Sequence, residues 1–140
     1  MKVYFEFRNG VFVKVVYLSL TGKTRQFVKK LNWDFIEISK KNSTVQMEEP
    51  YIVITPTYGE QVANFFYEFI DFGENRALLK GVAGSGNRNF NTSFCSNARA
   101  LAAKYQIPLL HCFENQGTDK DVQILIEKVR EIGSSKINKQ

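Results

Sequence analysis

Tyr51-Ile52-Val53-Ile54-Thr55 is a continuous apolar, β-branched run. It stops at Pro56-Thr57-Tyr58-Gly59, a turn that carries both of the strongest chain punctuators. A strand with one wet face alternates apolar and polar residues. A run without alternation fits a parallel strand covered on both faces. Parallel strands need long crossover connections, usually helices, so this stretch restricts the chain to a small set of α/β architectures.

The rest of the chain supplies the other parts. Strand-like runs fall at residues 13–18, 34–38, 77–84 and 108–112. Between them lie helical patterns. The first spans residues 23–32, with Phe27, Val28 and Leu31 on one side; the second places Val62, Phe65, Phe66, Phe69 and Ile70 at helical spacing. A third carries Phe94, Ala98, Leu101, Ala102 and Tyr105. The last opens with Thr118 and Asp121 as a capping box and carries Val122, Leu125, Ile126, Val129 and Ile132. Five strands alternating with four helices predict a three-layer α/β/α fold with a parallel sheet. The order 2-1-3-4-5 is the flavodoxin-like arrangement, in which ligands sit beyond the C-terminal strand ends, at the switch point. Those ends are the loops after Leu18, Thr55 and Gly84, all polar and all containing glycine.

Residues 1–12 stand outside this pattern. Residues 1–10 echo residues 13–22, MKVYFEFRNG against VKVVYLSLTG, and Asn9-Gly10 is a hairpin turn signal. They read as a peripheral extension, residues 13–133 as the ligand-binding domain, and residues 134–140 as a loose tail after Gly133. Glu6 and Arg8 occupy the place where a signal peptide needs an apolar segment, which predicts a cytoplasmic protein. No apolar run approaches the length of a membrane span. Cys95 and Cys112 are not in a CxxC, and in a reducing compartment they read as free thiols. The net charge is +5, but the lysines are dispersed rather than clustered with aromatics, which argues against a nucleic-acid partner. His111, the only histidine, lies within a strand pattern without the partner groups of a catalytic or metal site and reads as structural.

The first strand runs into Ser19-Leu20-Thr21-Gly22-Lys23-Thr24 and then a helix. Strand, tight turn and helix start is how α/β folds hold a phosphate, with turn N–H groups and the positive end of the helix dipole converging on one point. Hydroxyls of Ser19, Thr21 and Thr24 complete the anion site, and Gly22 permits close approach. Gly22-Lys23-Thr24 matches the end of a nucleotide P-loop, but that motif needs a glycine where Tyr17 stands. The dinucleotide fingerprint is absent from this turn. What remains resembles the flavin mononucleotide (FMN) phosphate loop of flavodoxins.

The resemblance extends over about residues 13–133. The turn 19–24, the segment 50–59, Asn75-Arg76-Ala77-Leu78-Leu79-Lys80-Gly81-Val82, Gly84-Ser85-Gly86-Asn87-Arg88-Asn89-Phe90, and Phe113-Glu114 with Gly117-Thr118 resemble the NrdI family. These are small flavodoxin-like flavoproteins that activate class Ib ribonucleotide reductase. Asn91 stands where many members have glycine, and the loop after Gly59 is short for the family.

The resemblance implies one FMN, with no metal. Ser19, Leu20, Thr21, Gly22, Lys23 and Thr24 would hold its phosphate. Pro56, Thr57, Tyr58 and Gly59 would lie along one side of the isoalloxazine. Ser85, Gly86, Asn87, Asn89, Phe90 and Asn91 would wrap the other, with Glu114 at the rim. The flavin, not side-chain acid–base chemistry, would carry the reaction. The implied role is reduction of O2 to superoxide, delivered to the dimanganese small subunit of the reductase to form its tyrosyl radical. A flavodoxin-type electron carrier and a non-redox flavin-binding scaffold are the alternatives.

Overall fold

The computed structural model of the chain describes residues 5–6, 12–39, 42–57, 60–87 and 95–138. Its strands are β1 (Phe5–Glu6), β2 (Phe12–Tyr17), β3 (Phe35–Glu37), β4 (Tyr51–Thr55), β5 (Leu79–Gly86) and β6 (Leu109–Glu114). Its helices are α1 (Lys23–Leu31), α2 (Glu60–Asp71), α3 (Asn75–Leu78), α4 (Ser96–Tyr105) and α5 (Asp119–Asn138). Strands β3, β2, β4, β5 and β6 lie side by side in that order, every pairing between them parallel. Counted along the chain, the parallel strands have the expected order 2-1-3-4-5. The switch point therefore falls between β2 and β4.

Both faces of the sheet are covered, as the run at 51–55 requires. Ile52 and Ile54 pack with Val13, Val15 and Tyr17 against Phe27, Val28 and Leu31 of α1 and Val122, Leu125 and Val129 of α5. Tyr51 and Val53 join Val16 and Leu18 against Phe66, Phe69 and Ile70 of α2 and Ala98, Leu101 and Tyr105 of α4. Successive residues thus enter opposite cores, the period-two geometry of a strand.

β1 pairs antiparallel with the start of β2, Phe5 opposite Val13 and Glu6 opposite Phe12. Parallel pairing of β2 begins at Lys14 with β4 and at Val15 with β3. β1 therefore occupies the part of β2 that its parallel neighbours leave. The Asn9-Gly10 turn lies outside the described residues.

β5 runs past Gly84 to Gly86 and β6 past Cys112 to Glu114, and three further differences from expectation follow. β5 begins at Leu79 rather than Ala77, because residues 75–78 form α3. Asn75 at its start is fully buried, and its side chain is satisfied from both ends. Its amide donates to Val45 O and Phe69 O, at 2.7 and 2.8 Å; its carbonyl accepts from Met47 N at 2.6 Å. Next, α5 does not stop at Gly133 but continues to Asn138, so the expected loose tail from 134 is helical backbone over most of its length. Glycine inside a helix costs about 1 kcal/mol relative to alanine, a penalty rather than a barrier, and no proline follows to end the helix.

The cysteines are the third correction. Cys95 and Cys112 form a disulfide, their Cα atoms 6.0 Å apart, and no free cysteine occurs among the described residues. The expectation of free thiols rested on sequence spacing, which does not register the tertiary approach. Cys112 stands opposite Gly84 in the β5–β6 pairing. The start of α4 crosses the same glycine, where an added Cβ would meet Ala98 Cβ at 2.6 Å and Cys95 Sγ at 2.7 Å. The bare backbone at Gly84 leaves the room that the bridge occupies. Among the described residues no helix is long and apolar enough to cross a membrane.

Candidate functional site

Beyond the C-terminal ends of β2, β4, β5 and β6 lies a cavity of about 120 Å³. The turn after β2 contributes Leu20, Thr21, Lys23 and Thr24. Pro56 and Thr57 come from the loop after β4, Ser85, Gly86 and Asn87 from the end of β5, and Asn115 from the turn after β6. This is the switch-point position at which doubly wound sheets bind ligands.

Ser19 organises the first turn from behind. Its Oγ accepts from the N–H groups of Gly22, at 3.1 Å, and Arg25, at 3.3 Å. Gly22 caps α1 in the left-handed region, at φ 89°. A side chain there would be strained by the backbone itself, since the nearest atom to an added Cβ, Arg25 Nη1, is 3.8 Å away. The first turn of α1 contains no acidic residue, so nothing there offsets the positive end of its dipole.

The floor is built from two buried hydroxyls. Thr24 Oγ1 and Ser85 Oγ lie 3.4 Å apart. Thr57 Oγ1 donates to Ser85 O at 2.7 Å, tying the loop after β4 to β5. Asn97 of α4 donates its side-chain amide to Pro56 O at 3.2 Å, which holds the same loop from the other side. On the far wall Asn115 N donates to Gly86 O at 3.0 Å, and Lys23 Nζ donates to Asn115 Oδ1 at 3.3 Å. The described lining residues include one cation, Lys23, and no carboxylate.

Below the turn, Tyr17, Arg25 and Glu37 form a cluster. Hydrogen bonding from Arg25, the largest influence, holds the Glu37 carboxyl below the usual carboxylate range against the opposing effect of burial. Burial, then the bond to Glu37, pushes the Tyr17 phenol up to about 12.

The residues singled out from sequence divide into three groups. Leu20, Thr21, Lys23, Thr24, Pro56, Thr57, Ser85, Gly86 and Asn87 line the cavity together. Ser19 and Gly22 shape the turn without lining it, and Glu114, exposed at the end of β6 and opposite Gly86 in the β5–β6 pairing, is not among the described lining residues. Tyr58, Gly59, Asn89, Phe90 and Asn91 lie outside the described residues. Asn115 is the lining residue that sequence reasoning missed. Its φ of 53° is left-handed, a conformation asparagine tolerates better than most side chains, and its place after a strand and two residues before Gly117 is the available signal. His111 pairs with Asp121 of α5, Nε2 to Oδ1 at 2.7 Å, outside the cavity lining.

A search of solved structures finds the same architecture. Flavodoxin 2 from Bacillus cereus superposes with a TM-score of 0.62 at 14% identity, covering 89% of this chain and 98% of that one. A Fusobacterium nucleatum flavodoxin mutant bound to flavin mononucleotide gives 0.58 at 17% identity, covering 88% and 95%. Sequence relatives are nearer. Protein NrdI of Bartonella bacilliformis is 40% identical over 113 residues, 77% of this chain and 87% of the relative. Protein NrdI of Chromohalobacter salexigens is 40% identical over 116 residues, again 77% and 87%. The family model described as NrdI flavodoxin-like matches residues 15–127. With that match spanning most of the chain, the protein belongs to the NrdI flavodoxin-like family.

Proposed function

We propose that the chain is an FMN-binding flavoprotein that reduces O2 to superoxide for activation of a class Ib ribonucleotide reductase. The observation that carries this reading is the cavity at the switch point, held between the turn 19–24 and the ends of β5 and β6 in a chain of this family. Its donor set suits a phosphate monoester: the Thr21 hydroxyl, the Lys23 ammonium and the N-terminus of α1, with no carboxylate among the described lining residues to repel an anion. A volume of about 120 Å³ is well under the roughly 300–1,000 Å³ of whole-ligand pockets, so it matches the phosphate end of the ligand. The ring system belongs outside it, between the segments 56–59 and 85–91.

Each described residue then has a defined task. Thr21 and Lys23 neutralise and orient the phosphate. Ser19 and Gly22 keep the turn in its binding shape. Thr24, Ser85 and Thr57 fix the floor and close it to bulk water. Asn87 and Asn115 offer amide groups at the wall. When bound and reduced, the flavin supplies the electrons for superoxide formation. The recipient of that oxidant is the dimanganese small subunit, in which it generates the tyrosyl radical.

The test is oxidation of reduced, FMN-loaded protein by O2 in a stopped-flow instrument with a superoxide probe. Electron paramagnetic resonance of the manganese-loaded small subunit follows. Superoxide release and a higher radical yield with the chain present are expected. A yield no better than that of the subunit alone contradicts the reading. Slow, superoxide-free reoxidation with fast transfer to a haem acceptor would assign an electron carrier instead.

A further inference from the structure

Tyr17 is the last residue of β2 and Arg25 the third of α1, so they flank the turn on its two sides. Glu37, the last residue of β3, bonds to both. Tyr17 Oη donates to Glu37 Oε1 at 2.7 Å. Arg25 Nε donates to the same oxygen at 2.8 Å, and Arg25 Nη2 to Oε2 at 2.6 Å. That is the bidentate geometry in which a guanidinium fork fixes a carboxylate in direction as well as distance. The sheet sets the position of Glu37: it stands opposite Tyr17 in the β2–β3 pairing, and Ile38 N donates to Tyr17 O at 2.8 Å.

The cluster also reaches into the turn. Arg25 donates its backbone N–H to Ser19 Oγ, and its guanidinium lies beside the backbone of Gly22. Neither Arg25 nor Glu37 lines the cavity. Glu37 thus joins the strand that enters the turn to the helix that leaves it. It also directs the Arg25 guanidinium toward the β3 edge, leaving Lys23 as the cation among the described lining residues.

We propose that Glu37 is a positioning residue for phosphate recognition, a clip that joins Tyr17 to Arg25 and holds the turn 19–24 in its binding shape. The proposal rests on the FMN reading and goes beyond it, because it assigns selectivity for the phosphorylated flavin to a residue that does not touch the phosphate. A turn held in shape before binding has less ordering left to do when the anion arrives.

The experiment compares FMN with riboflavin, the same ring and chain without the phosphate, on the full-length protein. Affinities for both are measured by flavin fluorescence for wild type, Glu37→Gln, Arg25→Met and Tyr17→Phe, with thermal melting alongside. Arg25→Met opens the clip without releasing a cation. Tyr17→Phe removes one bond and keeps the buried ring. The expected result is FMN binding roughly three- to tenfold weaker in Glu37→Gln and Arg25→Met, on the scale of a lost preorganising contact. A smaller loss is expected in Tyr17→Phe, with riboflavin binding unchanged in all three. Equal losses for both flavins would mean a general structural role and would overturn the proposal. So would an unchanged ratio, or tighter FMN binding in Glu37→Gln, which would make Arg25 a masked ligand. Wild-type protein that binds neither flavin would overturn the flavin reading itself, and this proposal with it.

Discussion

Thr24 of α1 and Ser85 of β5 meet beneath the cavity with 3.4 Å between their hydroxyl oxygens, across 61 positions of sequence. Both residues are buried, so neither hydroxyl can exchange its partner freely for water. Thr24→Val keeps the shape and removes the hydroxyl. The expected loss is about 1 kcal/mol of stability in denaturant unfolding, the net worth of one neutral hydrogen bond, together with weaker FMN binding. Unchanged stability and unchanged affinity would show that the floor does not depend on this pair.

The turn above the floor is tested by Thr21→Ala and Gly22→Val. A hydroxyl bound to a charged phosphate is worth roughly 1.5–3 kcal/mol, so Thr21→Ala should weaken FMN binding by that amount with the fold intact. Gly22→Val acts differently. At φ 89° the valine has room but an unfavourable backbone, and the turn should lose its shape. Circular dichroism and flavin titration check both variants. FMN affinity unchanged in both would place the phosphate elsewhere.

Much of this architecture was legible because local pattern and tertiary role agree. The run at 51–55 is β4 to the residue, and Phe66, Phe69 and Ile70 repeat on the buried side of α2. The Thr118–Asp121 capping box forms as read, with Thr118 N donating to Asp121 Oδ2 at 2.8 Å and Asp121 N to Thr118 Oγ1 at 3.2 Å. The misses are long-range. Glu37 reads as an ordinary polar residue on a short strand until the sheet sets it beside Tyr17 and between the ends of the turn. Asn115 joins the cavity only because β6 pairs with β5, and Cys95 reaches Cys112 only because α4 crosses Gly84. Asn75 was visible as part of a motif, but its buried bonds to residues 45, 47 and 69 are formed by the fold.

Asp121 gives the structure a defined acid sensitivity. Burial alone would push its carboxyl up, but bonds from His111 and Thr118 outweigh it and hold the group below its ordinary 3.8. As pH falls, the unfolded chain takes this proton first, so the stabilisation is present above the ordinary value and fades as pH drops through the folded one. The stability gap between wild type and Asp121→Asn should therefore be larger at about pH 5 than at about pH 3, values that bracket the ordinary aspartate range. Urea unfolding at the two pH values checks it. An equal gap at both would remove Asp121 from the acid response.

The disulfide predicts that denatured, unreduced protein shows no titratable thiol, and that reduction exposes both cysteines. Closing a loop with a sequence separation of 17 is worth about 3 kcal/mol in the chain-entropy account, so reduction should lower the melting temperature measurably. Two free thiols before reduction would contradict the bridge.

The central claim is that the cavity between the turn 19–24 and the ends of β5 and β6 is built for one terminal phosphate of a mononucleotide flavin. Titration of the protein with FMN and with FAD, followed by flavin fluorescence quenching, tests it most directly. The account predicts saturation at one FMN per chain, with FAD markedly weaker because no dinucleotide fingerprint is present at this turn to hold its second nucleotide. Absence of saturable FMN binding, or a preference for FAD, would contradict it.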